Sequence, residues 1–191
     1  MSGQDFDAIV VGARCAGAPT AMLLARKGYR VLLVDRATFP SDTLSTHIVQ
    51  PHGVAKLARW GLLDSVVATG CPALRKFAFH FGPLTIAGSP GTSASPVAYC
   101  PRRTVLDEIL VRAAVDAGAE LRDAFAVEEV LVSDGAVTGI RGRPKRGPSV
   151  TVTAPIVIGA DGRHSVVAEA ALPETYHERP ALQGGYYAYW S

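Results

Sequence analysis

The sequence predicts an α/β fold in which a parallel sheet carries a βαβ unit near the N-terminus and an antiparallel β layer is inserted. Three observations lead there. Phe6 to Val11 is a short run rich in Ile and Val that ends at Gly12, the pattern of a strand buried on both faces. Ala16 to Lys27 sets Met22, Leu23, Leu24 and several alanines at helical spacing and stops at Gly28. Arg30 to Val34 is a second apolar run, so strand, glycine turn, helix and strand fit within about thirty residues, and the crossover should be right-handed.

Beyond a loop rich in Ser, Thr and Pro (Phe39 to Pro51), "GVAKLARWGLLDSV" has a helical period that closes near Gly61. Arg75 to Cys100 holds short apolar runs, "KFAFHF", "LTIAG" and "PVAYC", separated by Gly, Pro and Ser, and reads as the antiparallel layer. "RRTVLDEILVRAAVDAGAEL" places Val105, Leu106, Ile109, Leu110 and Ala113 on one helical face and leads past Gly118 into a strand. "AVEEVLVSDGAVTGIRGR" reads as a hairpin turning at Asp134-Gly135, and "SVTVTAPIVIGADG" supplies two more strands. The end, "QGGYYAYWS", reads as a strand with aromatic residues on both faces. Such an edge needs a cover, so either a homo-oligomer or another partner lies over Tyr186, Tyr187, Tyr189 and Trp190, or the chain is part of a longer protein.

With 191 residues, 48% hydrophobic and 19% charged, the chain can bury a core of ordinary size. A formal net charge of +2, without a basic helix or an aromatic-interleaved basic face, points away from nucleic acid. Three cysteines, Cys15, Cys71 and Cys100, form no C-x-x-C pair and have no histidine at ligand spacing, so no disulfide framework or metal site is expected. The acidic start "MSGQDFD" does not resemble a signal peptide, and no apolar run reaches membrane-spanning length. These features predict a soluble, cytoplasmic protein with no stable membrane insertion.

The βαβ unit carries the chemistry. In G-x-G-x-x-G loops the first glycine makes the tight turn, the second lets the backbone approach a pyrophosphate, and the third lets helix pack on strand. Here Gly12 and Gly17 hold the outer positions, with small residues at Ala13, Ala16 and Ala18, but Arg14 stands where the middle glycine belongs. A guanidinium swung alongside the diphosphate would offset the lost approach with a charge-assisted hydrogen bond. Asp35, eighteen positions after Gly17 at the end of the second strand, can accept hydrogen bonds from ribose hydroxyls. This unit makes the fold Rossmann-like, yet by itself it does not separate NAD from FAD.

Downstream segments do. "IVIGADGRHSVVAEA" resembles the G-A-D-G-x-x-S segment of flavoprotein monooxygenases in the p-hydroxybenzoate hydroxylase class, and "PRRTVLDEIL" resembles their R-x-x-L-D-x-x-L helix start. The resemblance implies FAD as cofactor and NAD(P)H as transient reductant. It places Gly12, Ala13, Arg14, Ala16, Gly17 and Asp35 around the ADP half of FAD, with Arg36 beside the adenine. Arg103 would meet the dinucleotide near the pyrophosphate, Val127 lies on the strand that meets the adenine ring, and Asp161 with Gly162 forms the acid-glycine pair used for FAD and nicotinamide.

The loop Asp42 to His52 would approach the flavin and the substrate; its histidines, His47 and His52, are assigned no catalytic role. Ala168 stands where a basic residue is common, and the later G-D-A segment that holds the ribityl chain is absent, so the chain should be catalytically incomplete. Residues 1–74 and 101–175 would form a discontinuous FAD-binding domain, and residues 75–100 and 176–191 part of an incomplete substrate domain. The implied activity is oxygenation of an aromatic or polyketide-like small molecule. The alternatives are a non-catalytic or truncated FAD-binding fragment and an isoprenoid (geranylgeranyl) reductase-like flavoprotein.

Three features have plainer readings beside functional ones. The basic cluster from Arg141 to Arg146 could attract a 2'-phosphate, but Gly and Pro within it suit a solvated hairpin tip. Cys15, at a helix N-terminus, could have a lowered thiol pKa or simply be a small residue that fits. Trp60, Phe77, Phe79 and Phe81 read as core or sheet packing, with alternate members of the Phe run available to a hydrophobic pocket.

Overall fold

The computed structural model describes residues 5–93 and 95–180. The N-terminal unit is β1 (Ala8–Val11), α1 (Gly17–Ala25) and β2 (Val31–Val34). Gly28 (φ 87°) turns the chain from the end of α1 toward β2. Two short helices follow, α2 (Pro51–Trp60) and α3 (Leu63–Val67), separated by Gly61 in the left-handed conformation (φ 78°), which ends α2 where the sequence places its stop.

The middle of the chain forms β3 (Ala73–Leu74), β4 (Phe77–Phe81), β5 (Leu84–Gly88) and β6 (Ala98–Tyr99), then α4 (Arg103–Asp116) and β7 (Glu120–Arg122). The last third forms β8 (Phe125–Ser133), β9 (Ala136–Pro144), β10 (Val150–Thr153), β11 (Val157–Gly159) and α5 (Val166–Ala171). Asp134 (φ 52°) and Gly135 (φ 76°) both adopt positive φ at the β8–β9 turn, as a tight two-residue hairpin requires. The aromatic strand expected at Gln183 to Ser191 lies outside the described residues.

A four-stranded parallel sheet in the order β11-β1-β2-β7 is the centre of the fold. All four residues of β1 and all four of β2 are buried, because both sheet faces are covered. Val10, Val31 and Leu33 pack against Ala18, Ala21 and Met22 of α1 and Leu106, Leu110 and Ala114 of α4. On the other face Ile9, Val11, Leu32 and Val34 meet Phe125, Ile140, Val152 and Ala154. The alternation of strand residues between two apolar clusters is the physical reason that these strands read as unbroken apolar runs.

The second cover is the antiparallel sheet β10-β9-β8, broader than the single hairpin legible in the sequence. A register shift between Val127 and Glu129 interrupts the β8–β9 ladder. Gly142, paired with Val127 across the β8–β9 ladder, has no room for a Cβ beside the Phe125 ring.

The segment 75–100 corrects one expectation. β4 and β5 pair only with each other, and the cross-strand pairs Phe79–Ile86 and Phe81–Leu84 stand on a two-stranded ribbon without a covering layer among the described residues. Phe79 (59% exposed) and Phe81 (60%) are therefore not core residues, because a two-stranded ribbon has no second layer in which to bury them. Trp60, in contrast, packs partly buried against the helix-side core. No helix of the described residues is long and apolar enough to cross a membrane.

Candidate functional site

The site begins at the C-terminal edge of the parallel sheet, where the turn after β1 meets the turn after β11. Gly12 adopts φ 99°, and a Cβ there would strike the Ala160 carbonyl oxygen and lie 2.9 Å from the Asp161 Cα. A Cβ on Gly17 would fall on the Gly12 carbonyl oxygen and lie 3.1 Å from Val10 Cγ1. The two outer glycines are thus required by close approaches of backbone to backbone. Ala13 is wholly buried beneath the loop.

The N-terminus of α1 has no side-chain cap and no acidic residue in its first turn. The Ala18 and Thr20 amides donate to the Arg14 and Ala16 carbonyls and Pro19 carries none, so the groove beside this helix end meets its partial positive charge and the turn before it rather than first-turn N–H groups. That groove, about 810 Å³, is lined by Gly12, Arg14, Ala16, Asp35, Arg36, Arg103, Val127, Asp161 and Gly162. Of the cofactor residues read from the sequence, only Ala13 and Gly17 are absent from its wall; both are buried behind it.

Asp35 ties the unit together. Its Oδ2 accepts from the Ala13 amide and its Oδ1 from the Ala37 amide, each at 2.8 Å. A carboxylate has about four lone-pair sites, so two protein donors leave capacity toward the groove that Asp35 lines. Asp161 has a comparable double role. Its Oδ1 accepts from Ser165 Oγ at 2.6 Å and its Oδ2 from the Val166 amide at 2.7 Å, while Ser165 Oγ accepts from the Ala168 amide and caps α5. Gly162 (φ 88°) has open space around its missing Cβ.

Arg14 does not lie free along the loop. Its Nη1 donates to Asp107 Oδ2 at 2.6 Å, its Nη2 to Ser41 Oγ at 3.0 Å, and its guanidinium carbon sits 5.4 Å from the Phe39 ring centroid. Arg103 reaches the same carboxylate one turn along α4, Nε to Oδ1 and Nη2 to Oδ2, both at 3.0 Å. Asp107 is completely buried and accepts from both guanidiniums. The sequence contained a signal for it, an acid four residues after Arg103 on the same helix, yet no role followed from spacing alone.

Cys15 adds a correction to the thiol reading. Its Sγ donates to Asp107 Oδ1 at 3.4 Å, and burial of the sulfur together with the Asp107 charge pushes the thiol up to about 11. A nearby carboxylate outweighs the helix N-terminus, so this thiol is not activated. Cys15 has surface exposure, yet iodoacetamide should modify it at pH 8 well below the rate of a free cysteine. Mass spectrometry of the labelled peptide should show the rate rising only as the pH nears 11; fast labelling at pH 8 would contradict this geometry.

The loop after β2 contributes Thr43 and Leu44 to the groove wall, and the turn after β11 contributes Arg163 and His164, four residues to which the sequence had assigned no individual role. His47 is buried at positive φ (59°) and His52 is exposed. In the basic cluster, Arg141 pairs with Glu129 at 2.6 Å and Arg143 with Glu128 at 3.0 Å across the hairpin.

A parallel sheet with a glycine turn, an uncapped helix start and a strand-end acid around one groove defines a dinucleotide-binding domain. The chain belongs to the FAD binding domain family, whose model matches residues 5–183. It is 33% identical over 174 residues to the protein FixC of Salmonella typhi, covering 88% of this chain and 39% of that one. It is 29% identical over 188 residues to the aklavinone 12-hydroxylase DnrF of Streptomyces peucetius, covering 89% and 38%. Among solved structures, the flavin-dependent monooxygenase PieE in complex with FAD and substrate superimposes with a TM-score of 0.73 at 26% identity, over 89% of this chain and 32% of that one.

The resemblance read from the glycine loop, the R-x-x-L-D helix and the G-A-D-G segment therefore holds, and with it FAD as the cofactor. The uncapped start of α1 and the loop that admits no Cβ at Gly12 or Gly17 fit that group. The chain spans about two fifths of the length of the curated relatives it matches.

Proposed function

We propose that this chain is the cofactor-binding part of an FAD-dependent oxidoreductase, and specifically of an NAD(P)H-dependent monooxygenase that hydroxylates an aromatic or polyketide-like small molecule. The observation that carries the reading is the convergence of three distant segments, 12–17, 35–36 and 161–162, on one groove with Arg103 and Val127. Similarity to a hydroxylase and to a substrate-bound monooxygenase supports the oxygenating chemistry.

In this reading the positive end of α1 and the loop amides before it, with Arg14 and Arg103 nearby, hold the diphosphate. Asp35 accepts from the ribose, and Val127 and Arg36 flank the adenine. Bound FAD supplies the electron transfer and the activation of dioxygen, chemistry that no side chain provides. The protein's share is binding, orientation and exclusion of water from the flavin. A cytoplasmic setting belongs to the same reading and is supported by three free thiols. A homo-oligomer or partner over the aromatic segment Tyr186 to Trp190 belongs to it as well.

The purified chain should be yellow, or become so with added FAD, and the whole oxidoreductase of which it is the cofactor-binding part should oxidise NAD(P)H with matched oxygen uptake and transfer of one oxygen atom to an electron-rich aromatic. NAD(P)H oxidation that reduces a substrate double bond without oxygen uptake would replace hydroxylation by the reductase alternative. A protein that binds FAD yet oxidises no nicotinamide would leave the non-catalytic binding fragment.

A further inference from the structure

The arginine in the middle of the glycine loop poses a physical problem. A long cationic side chain at that position can fold across the amides that must meet the diphosphate. In the structure it is drawn the other way, onto α4 and the loop after β2. Asp107 accepts its Nη1 at 2.6 Å, Ser41 Oγ accepts its Nη2 at 3.0 Å, and the Phe39 ring flanks the guanidinium.

We propose that Asp107 is a positioning residue for FAD: with Ser41 it pins the Arg14 side chain clear of the loop amides and holds it beside Arg103 on the groove wall. The proposal rests on the FAD-binding reading above and explains how a chain with G-x-R-x-x-G keeps its cradle open. Asp107 lies outside the groove wall, so it acts through the arginines and not by contact with the cofactor.

Charge and burial support this role. Asp107 is fully buried, and a buried carboxylate is stable only when paired and hydrogen-bonded. Four donors, two from Arg103 and one each from Arg14 and Cys15, surround its two oxygens. The Cys15 thiol stays neutral, so two guanidiniums and one carboxylate leave one net positive charge beside the groove. That surplus suits a diphosphate. The Asp107 carboxylate, the Ser41 hydroxyl and carbonyl and the Phe39 face set the orientation of Arg14, and removal of the carboxylate, its charged partner, should let the side chain swing back.

The test is a double-mutant cycle read by FAD titration of the apo-protein, with melting temperatures as a folding control. Asp107→Asn should weaken FAD binding on the order of thirtyfold, and in an Arg14→Gly background the same substitution should cost about fivefold or less, because no side chain remains to block the loop. Arg14→Gly alone sets the baseline for the second leg of the cycle, because it removes both the side chain that can block the loop and one positive charge beside the groove. Equal losses from Asp107→Asn in both backgrounds would overturn the proposal and make Asp107 a support for α4 alone. Should Asp107→Asn fail to fold, Ser41→Ala carries the same logic: about threefold weaker binding that vanishes with Arg14→Gly, and unchanged affinity overturns it. A wild-type protein that takes up no FAD would overturn the cofactor reading itself, whereas FAD uptake with additive variants overturns only the positioning role.

Discussion

A Gly17→Ala chain is expected to lose about 3 kcal/mol of folding stability, and its FAD affinity with it. The new methyl would fall on the Gly12 carbonyl oxygen and lie 3.1 Å from Val10 Cγ1, so relief requires α1 to move away from β1. That displacement takes the helix end and the glycine loop out of register with the groove, and affinity falls together with stability. Gly28→Ala is the control. Gly28, unlike Gly17, has positive φ (87°) but nothing within 4 Å of a built Cβ, so its replacement should cost only about 1–2 kcal/mol of backbone strain. Urea denaturation of both variants separates the effects. Equal losses would show that the contact of a Gly17 methyl with Gly12 and Val10 costs no more than backbone strain at Gly28, and would overturn the tight helix-strand approach.

The second large effect is expected at Asp35. Asp35→Ala removes the acceptor of the buried Ala13 amide as well as that of Ala37, and an orphaned buried amide costs about 1–3 kcal/mol. FAD binding should weaken by a further amount on the order of 1–3 kcal/mol from the lost ribose acceptor. Asp35→Asn keeps one carbonyl oxygen for a backbone donor and should recover part of the stability, while its affinity stays low because the anionic acceptor is gone. Parallel melting curves and FAD titrations check both quantities. Unchanged affinity in Asp35→Ala would remove the carboxylate from the cofactor site and leave it as a clasp between β2 and the glycine loop.

Asp161 shows why role and location need separate treatment. The G-A-D-G segment marked it as a cofactor acid, and it does line the groove, yet both its oxygens are engaged in fastening the start of α5. A sequence motif records that a carboxylate is needed at a position without stating which donors it meets. Asp107 is the converse case. It sits inside the quoted R-x-x-L-D stretch, but its partner Arg14 lies 93 residues away, and only folding brings the two together.

Local order in the chain was enough for the βαβ unit, the α2 stop at Gly61, the Asp134-Gly135 hairpin, and the residues that gather at one groove. Each of these depends on periodicity, on a glycine's freedom at positive φ, or on a motif whose members are near neighbours, and such terms are written in consecutive residues. The tertiary structure alone decided that the hairpin and β10 form a sheet covering the second face of β1 and β2. It also decided that Phe79 and Phe81 stand on a ribbon that no other described element covers, that the Cys15 thiol is raised, and that Arg14 turns toward α4. Those outcomes depend on which distant atoms end up within a few ångströms of one another, where burial and charge act through space and sequence separation carries no information.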